Sequence, residues 1–243
     1  MAGHSKWKNI MRTKGAQDAK RGKVFTKIAR EITVAVKEGG SGDPINNARL
    51  ATVIVKAKAA NMPNDNIKRA IEKGLGAGTG DSYESITYEG YGPSGVAVIV
   101  EAMTDNRNRT AADMRHYFDK YGGNMGTTGC VSWSFDKKGV LIVDNEEGQI
   151  DEDTIINDAL EAGADDVETD DNIYEIYCAP DDFNSVNSEL DKLGYKFLSA
   201  QIEMVPQNYI TLTSPDDIKN MEKMLELMED SDDVQNVWHN YES

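Results

Sequence analysis

The order of strand and helix patterns between residues 138 and 206 constrains the fold of this chain more than any other sequence feature. Apolar residues alternate in half-buried strands and recur at three- and four-residue steps in helices. By these criteria the segment contains a strand, a helix, two strands, a helix and a final strand. This β-α-β-β-α-β order is typical of a ferredoxin-like domain. The predicted elements cover residues 140–143, 154–162, 166–169, 173–178, 183–193 and 197–205.

Further strand and helix patterns occur on both sides of this segment. On the N-terminal side, strand structure is predicted to begin with the β-rich run at 96–100. A helix is then predicted from Thr110, whose pairing with Asp113 resembles a capping box, followed by a strand at 131–135. The C-terminal side predicts a strand, a helix and a strand, at residues 209–212, 215–228 and 234–238.

Residues 17–74 show helical periodicity throughout. Three amphipathic helices are predicted, of which the second opens with Asp43 as its cap and Pro44 in its first turn. The glycine-rich stretch 74–80 follows a helix and lacks the Gly-Lys-Ser/Thr ending of a phosphate-binding loop. It is therefore predicted to be a flexible linker.

Together these patterns predict a mixed α+β fold with an N-terminal three-helix domain and two α/β domains. At least one α/β domain is predicted to be ferredoxin-like, and the last domain is predicted to be inserted into the second. The predicted boundaries are residues 1–79 for the basic helical domain, 80–137 with 207–243 for the discontinuous α/β domain, and 138–206 for the acidic ferredoxin-like domain.

Charge is distributed unevenly along the chain. Residues 1–75 carry 16 Lys and Arg against 6 Asp and Glu, a net of +10, whereas residues 76–243 carry 10 against 36, a net of −26. Such an asymmetry is typical of a chain in which a basic arm binds nucleic acid or a membrane surface and the remaining domains have another role. No apolar run approaches the roughly 18 residues of a membrane span. We expect nucleic acid, either DNA or ribosomal RNA, as the partner and no membrane.

The strongest candidate binding residues lie in the first 30 residues, where Asp18 is the only acidic residue. Lysine and arginine at this density neutralise phosphates and release condensed counterions, which gives salt-sensitive binding with little sequence preference. Trp7 could stack on an exposed base or, equally well, pack on the helices. A solvated helix face is the alternative for the basic residues. The candidates are Lys6, Trp7, Lys8, Arg12, Lys14, Lys20, Arg21, Lys23, Lys27 and Arg30.

Arg107 and Arg109 form a second candidate site for nucleic acid. They lie in an Asn-Arg-Asn-Arg run just before the predicted helix start, where guanidinium groups and free backbone N–H groups could bind RNA or another anion. Pairing of the arginines with Asp105 and Asp113 is at least as good an interpretation.

Two other features carry weaker hypotheses. Tyr88 and Tyr91, with the glycines around them, could present an interaction surface, although packed tyrosines and turn glycines explain them equally well. The acidic residues after position 143 favour a solvated surface. Their functional alternatives are to keep the body away from phosphate or to contact a basic protein.

No catalytic or metal site is indicated by the sequence. Cys130 and Cys178 lie far apart, and neither has a second cysteine or a histidine at the spacing of a zinc site. No nucleophile is accompanied locally by a base and an orienting acid, and no cofactor fingerprint is present. We therefore expect no enzymatic activity, cofactor, metal or small-molecule substrate. The N-terminus has no secretory signal, and both cysteines are expected to be reduced, which predicts a cytoplasmic protein.

Six blocks of sequence occur in order along the chain, at residues 2–7, 16–23, 58–63, 88–93, 104–110 and 234–240. They resemble the YebC/PmpR family, and the resemblance covers essentially the whole chain. The resemblance implies a helical domain and two α/β domains. Bacterial members of the family are described as DNA-binding transcriptional regulators, mitochondrial relatives are translational activators, and other members look like translation factors that act on ribosomes stalled at proline-rich nascent chains.

One segment departs from the family pattern. Many relatives carry a Pro-Arg-Leu-Arg-like sequence where this chain has Asn47-Ala48-Arg49-Leu50-Ala51. The chain therefore lacks any contact that the missing arginine makes in those relatives.

Three functional hypotheses follow. The first is a DNA-binding transcriptional regulator, although the basic helix offers mainly lysine and arginine, which suit phosphates better than base edges. The second is a ribosome-associated translation factor whose basic arm binds structured RNA, an arrangement that the charge split favours. The third and weakest is an adaptor whose acidic domains bind a protein.

Overall fold

The computed structural model describes residues 17–76, 83–145, 148–170 and 173–242, without the side chains of residues 17–21 and 170. Within these ranges the chain has seven α-helices and ten strands. The helices are α1 (Gln17–Gly39), α2 (Ala48–Ala59), α3 (Asn64–Leu75), α4 (Arg107–Lys120), α5 (Glu152–Ala162), α6 (Phe183–Lys192) and α7 (Pro215–Asp230).

The strands are mostly short, and two longer ones lie at the borders of the ferredoxin-like segment. They are β1 (Glu84–Tyr91), β2 (Ala97–Thr104), β3 (Asn124–Met125), β4 (Phe135–Asp144), β5 (Asp166–Asp170), β6 (Ile173–Cys178), β7 (Phe197–Pro206), β8 (Ile210–Thr211), β9 (Val234–His239) and β10 (Tyr241–Glu242).

The chain divides into two compact units. Within the described ranges, the first unit contains residues 24–76, called here the helical part, and 137–203, called the ferredoxin-like part. The second unit contains residues 17–23, 83–136 and 204–242 and is discontinuous in sequence. The predicted mixed α+β class is confirmed. The predicted boundaries between three domains remain a prediction.

Asn47 sets the start of α2. Its Oδ1 accepts a hydrogen bond from Leu50 N at 3.0 Å, and its Nδ2 donates to Ala35 O at 2.9 Å, which ties the helix to α1. Gly39 lies so close to the Asn47 side chain that any Cβ would clash with it. The prediction that this helix starts with Asp43 as its cap and Pro44 in its first turn was wrong. Asp43 instead accepts a hydrogen bond from Ile45 N in a turn that precedes the helix.

The three helices of the helical part bury one apolar stripe each against their neighbours. Ile32, Leu50 and Ala57 are fully buried. Burial of this kind, rather than helix propensity, is the main source of stability for helices of this length. The core consists of Ile28, Ile32, Ala35, Val36, Leu50, Val53, Ala57, Met62, Ile67 and Ala70.

The ferredoxin-like part contains a four-stranded sheet in the order β5-β6-β4-β7. The pairs β4–β6 and β5–β6 are antiparallel, so the first and third strands of the segment lie side by side as the ferredoxin-like prediction requires. Helices α5 and α6 supply Ile155, Phe183 and Leu190 to its core. The predicted ferredoxin-like fold is confirmed.

The helical and ferredoxin-like parts of the first unit contact each other through α2 and α6. Asn184 Nδ2 donates to Thr52 Oγ1 at 3.1 Å. Val55 and Ala59 pack against the ferredoxin-like core. The helical part is therefore held on the ferredoxin-like part by apolar contacts and a side-chain hydrogen bond.

The second unit contains an antiparallel sheet in the order β3-β1-β2-β9. Helices α4 and α7 cover one face, with Phe118 and Met224 fully buried against the sheet. Val131 and Phe135 cover the other face beside Ile99. Strands β8 and β10 pair in parallel over two residues each.

Two element predictions in the second unit were wrong. Strand structure begins at Glu84, in β1, and not at the β-rich run that starts at Val96. The segment 131–135 is not a strand, because residues Ser132–Ser134 form a 3-10 turn and β4 begins only at Phe135.

Replacing Leu50 by Ala should destabilise the helical part by about 2–5 kcal/mol, because Leu50 is fully buried and its removal leaves a cavity. Hydrogen exchange of peptides covering α2, measured by mass spectrometry, should show the loss of protection. Ile45→Ala is the matched control, since Ile45 is 89% exposed and its loss should change stability by less than about 0.5 kcal/mol. Equal exchange in both variants would contradict the assigned core.

Candidate nucleic-acid interface

Most of the predicted basic arm lies outside the described residues and side chains. Lys6, Trp7, Lys8, Arg12 and Lys14 lie outside the described residues. Lys20 and Arg21 lie on α1, but their side chains are also outside the description. Their role in binding nucleic acid therefore remains a prediction.

Three of the predicted binding residues on α1 interact with other groups of the protein: Lys23, Lys27 and Arg30. Lys23 Nζ lies 3.1 Å from Asp230 Oδ1, in an exposed ion pair. Lys27 and Arg30 are half-buried, and each interacts with another group of the protein. An exposed ion pair contributes only about 0–1 kcal/mol, so Lys23 can exchange Asp230 for a phosphate at little cost.

Four exposed lysines of the helical part form no hydrogen bond or ion pair within the described ranges. By contrast, Lys56 pairs with Glu31 at 3.0 Å, and Arg49 pairs with Glu38. The four lie outside the predicted binding residues, although residues 24–76 carry nine Lys and Arg against five Asp and Glu. Local net charge could have identified them. The four are Lys37, Lys58, Lys68 and Lys73.

Helices α2 and α3 are joined by a four-residue turn, residues 60–63. The turn is held by the left-handed Asn61, with φ of 57°, and by the buried Met62. No side chain caps the N-terminus of α3, and the helix exposes Asn64 and Lys68 to solvent. A helix with free N–H groups and exposed amide and ammonium groups can contact phosphates and base edges.

Arg107 and Arg109 lie in the first turn of α4 rather than before it. Asn106 caps the helix, because its Oδ1 accepts a hydrogen bond from Arg109 N at 3.1 Å. The predicted helix start at Thr110 and its capping box with Asp113 were therefore wrong. Asn is a more favourable N-cap residue than Thr, which explains why the helix begins earlier.

The guanidinium of Arg109 is held by two carboxylates. Its Nη2 lies 2.7 Å from Asp233 Oδ2 and 2.9 Å from Asp105 Oδ1. The pairing expected with Asp105 is present, whereas the second partner is Asp233 and not Asp113. Arg107 is exposed and forms no hydrogen bond or ion pair within the described part of the chain. Of the two arginines, the geometry therefore leaves Arg107 available to an anion.

Asp233 is the centre of a buried polar network. Its Oδ2 also accepts hydrogen bonds from Thr110 Oγ1 at 2.8 Å and from Thr104 Oγ1 at 3.2 Å. Burial alone would raise the pKa of Asp233, but the hydrogen bonds from Arg109 and the threonines bring it below its ordinary value. Arg109 thus joins α4 to the chain entering β9.

The remaining candidates are distributed over the second unit. Tyr88 is buried in the core between the sheet and the helices, so it is not a surface residue. Tyr91 is 39% exposed. No group of three His, Cys, Asp or Glu among the described residues is arranged to hold a metal ion. No helix in the described ranges is long and apolar enough to cross a bilayer.

The fold and charge pattern define a mixed α+β protein with a basic helical part joined to acidic α/β parts. The chain belongs to the TACO1/YebC family. Residues 5–77 match the TACO1/YebC protein N-terminal domain, and residues 83–241 match the TACO1/YebC second and third domain. The resemblance seen in the sequence is therefore confirmed.

Relatives of similar length support this assignment. The chain is 57% identical to a probable transcriptional regulatory protein of Geobacillus kaustophilus, over 99% of this chain and 97% of the relative. It is 55% identical to a probable transcriptional regulatory protein of Acetivibrio thermocellus, over 99% of both chains. A crystal structure of a conserved hypothetical protein from Aquifex aeolicus is 44% identical and superposes with a TM-score of 0.81, covering 93% of this chain and 91% of that one.

Replacing Asp233 by Asn should destabilise the second unit by about 2 kcal/mol at neutral pH, because hydrogen bonds to a charged acceptor are lost. Since the folded-state pKa of Asp233 is lowered, its contribution is present above the unfolded-state pKa and disappears as the pH falls through the folded-state value. The variant should therefore lose part of the acid sensitivity between about pH 5 and pH 2.

Urea denaturation as a function of pH measures this effect. Asp105→Asn is the control, because it removes the other carboxylate that pairs with Arg109. The Asp105 side chain is 43% exposed, so this substitution should lower the free energy of unfolding by less than about 1 kcal/mol. If both variants showed the same small loss, Asp233 would not organise the network.

Proposed function

We propose that this protein regulates gene expression by binding nucleic-acid phosphates with its helical part, without catalysing a reaction. The observation that carries the proposal is the set of four exposed lysines, Lys37, Lys58, Lys68 and Lys73, which have no partner in the described structure. Four ammonium groups on one small helical part attract a polyanion by releasing its counterions. The arm residues and Arg107 would add to the same electrostatic attraction.

The adjoining ferredoxin-like part restricts how a polyanion can approach. Residues 137–203 carry 4 Lys and Arg against 19 Asp and Glu. Since this part contacts the helical part within the first unit, its carboxylates repel phosphates that approach from its side. The charge split therefore orients the molecule on its nucleic acid.

A DNA-binding transcriptional regulator is the first form of this proposal. The arrangement of α2, a four-residue turn and α3 supports it, because Asn64 and Lys68 on α3 are of types that read base edges in the major groove. The names of the relatives, probable transcriptional regulatory proteins, agree with it.

A ribosome-associated translation factor is the second form, and the chemistry of the free cations favours it. All four are lysines, which neutralise phosphates as point charges and lack the rigid planar fork of donors that arginine presents. Binding by such groups depends on phosphate density rather than on sequence, as expected for a protein that binds folded ribosomal RNA or tRNA.

Charge reversal at Lys58 and Lys68 tests the interface itself. The slope of log binding constant against log salt should become shallower by roughly 1.4 to 1.8, because two phosphate contacts are lost. Fluorescence anisotropy with a labelled DNA duplex and a labelled RNA hairpin measures the slope. The matched control is Lys192→Glu with Lys196→Glu, which changes the net charge equally but lies on the acidic ferredoxin-like part. Equal losses in both double variants would contradict the proposed interface.

The template is decided by a second experiment. In sucrose gradients of lysate at physiological salt, a translation factor should co-migrate with ribosomes and be released by ribonuclease. Reversal of Lys20, Lys23 and Lys27 to Glu should abolish that association if the basic face of α1 contributes. A protein that remains at the top of the gradient, yet gives a DNA footprint in excess nonspecific DNA, would instead be a transcriptional regulator.

A further inference from the structure

The loop between β3 and β4 exposes a tryptophan on an uncharged surface. From Tyr121 to Phe135 the chain carries no charged residue, although 28% of all residues are charged. Trp133 is 69% exposed. Trp and Tyr at protein surfaces are concentrated in binding sites, where a few such residues carry most of the affinity.

The orientation of Trp133 differs from that of an ordinary surface tryptophan. Its Nε1 donates to Cys130 O at 2.9 Å, and Tyr91 Oη donates to the same carbonyl at 3.1 Å. A surface indole usually turns its polar edge to water, whereas here the polar edge is satisfied within the loop. What Trp133 offers a partner is therefore the ring face.

A buried carboxylate fixes this loop in place. Glu89, on β1, accepts hydrogen bonds from Gly129 N at 2.8 Å, Val131 N at 3.0 Å and Ser132 N at 2.9 Å. Gly129 adopts φ of 89°, which glycine accommodates without strain. A loop held in this way loses little conformational entropy when a partner binds.

The same carboxylate determines which partner the loop attracts. Glu89 is only 3% exposed, and no basic side chain among the described residues pairs with it. Burial would raise the pKa of Glu89, but the backbone donors lower it overall, so the group is ionised at neutral pH. A negative charge beneath an uncharged loop repels phosphate and favours a cation at the surface above it.

We propose that the Trp133 loop is a docking site for an arginine- or lysine-rich segment of a protein partner, with a guanidinium or ammonium group seated on the indole face. The indole face attracts cations through its quadrupole, and the buried Glu89 strengthens that attraction. Within the second unit, residues 83–136 and 204–242 carry 6 Lys and Arg against 16 Asp and Glu, so a basic segment also finds favourable charge around the loop. This site is separate from the lysines that are proposed to bind nucleic acid.

Binding of a labelled octa-arginine peptide to the full chain tests the proposal by fluorescence anisotropy at physiological salt. Trp133→Ala should weaken binding about five- to thirtyfold, the range expected for loss of a cation–π contact. Trp133→Leu, which keeps an apolar side chain without the ring, should lose nearly as much, and Trp133→Phe should be intermediate. Leu193→Ala, at a residue that is 60% exposed on the acidic part, is the control and should not change affinity.

Three results would overturn this assignment. The first is an affinity for the peptide that is equal in the original chain and Trp133→Ala. The second is full affinity in Trp133→Leu, which would indicate a plain apolar contact. The third is loss of binding to labelled oligouridine, but not to the peptide, in Trp133→Ala, which would indicate base stacking. Because the peptide assay contains no nucleic acid, its outcome is independent of the proposed interface at Lys58 and Lys68.

Discussion

The pairing of β2 with β9 is the constraint on which the second unit depends. It joins strands more than 130 residues apart, with Val98 opposite His239 and Val100 opposite Val237. Polar groups hold both ends of the pair. At one end Asp233 O accepts from Met103 N at 2.7 Å, and at the other Asn240 Oδ1 accepts from Ala97 N at 2.8 Å.

This pairing of distant strands explains why Arg109 and Asp233 form an ion pair. Asp233 immediately precedes β9, and its carboxylate would be buried without compensation if Arg109, Thr104 and Thr110 did not bind it. An arginine in this position orders the fold and is poorly available to an external phosphate. Arg107, two residues earlier on the same helix turn, has no buried carboxylate to compensate among the described residues. Two neighbours of identical chemistry thus have different roles because a distant carboxylate reaches only one of them.

The ferredoxin-like part could be predicted from sequence because its strands and helices bury regular apolar stripes. Strand β1 could not be recognised in this way, since two of its buried positions are Glu89 and Gly90, residue types that are uncommon in strands. Gly90 is required because any Cβ would clash with Asn124 O and the Phe118 ring. The opposite error occurred at residues 131–135, where a strand was predicted and the structure has a 3-10 turn. Its alternating apolar residues resemble a strand, but the N–H groups of Val131 and Ser132 bind Glu89 instead of a neighbouring strand.

The candidate interfaces could be predicted only in part, because composition gives the charge of a region but not the tertiary partners of each side chain. The basic character of the helical part follows from composition, whereas which cations remain free depends on tertiary partners. Lys56 is paired with Glu31, while Lys58 two positions later is exposed and unpaired among the described residues. Trp133 was not selected from sequence at all, because an apolar residue in an alternating run is normally buried. Its exposure results from Glu89, which draws the backbone of the loop inward and leaves the indole outside. The buried carboxylate of Glu89 therefore fixes the conformation of the loop and places a negative charge beneath it. The loop is thus suited to a cation, whereas the exposed lysines of the helical part are suited to an anion.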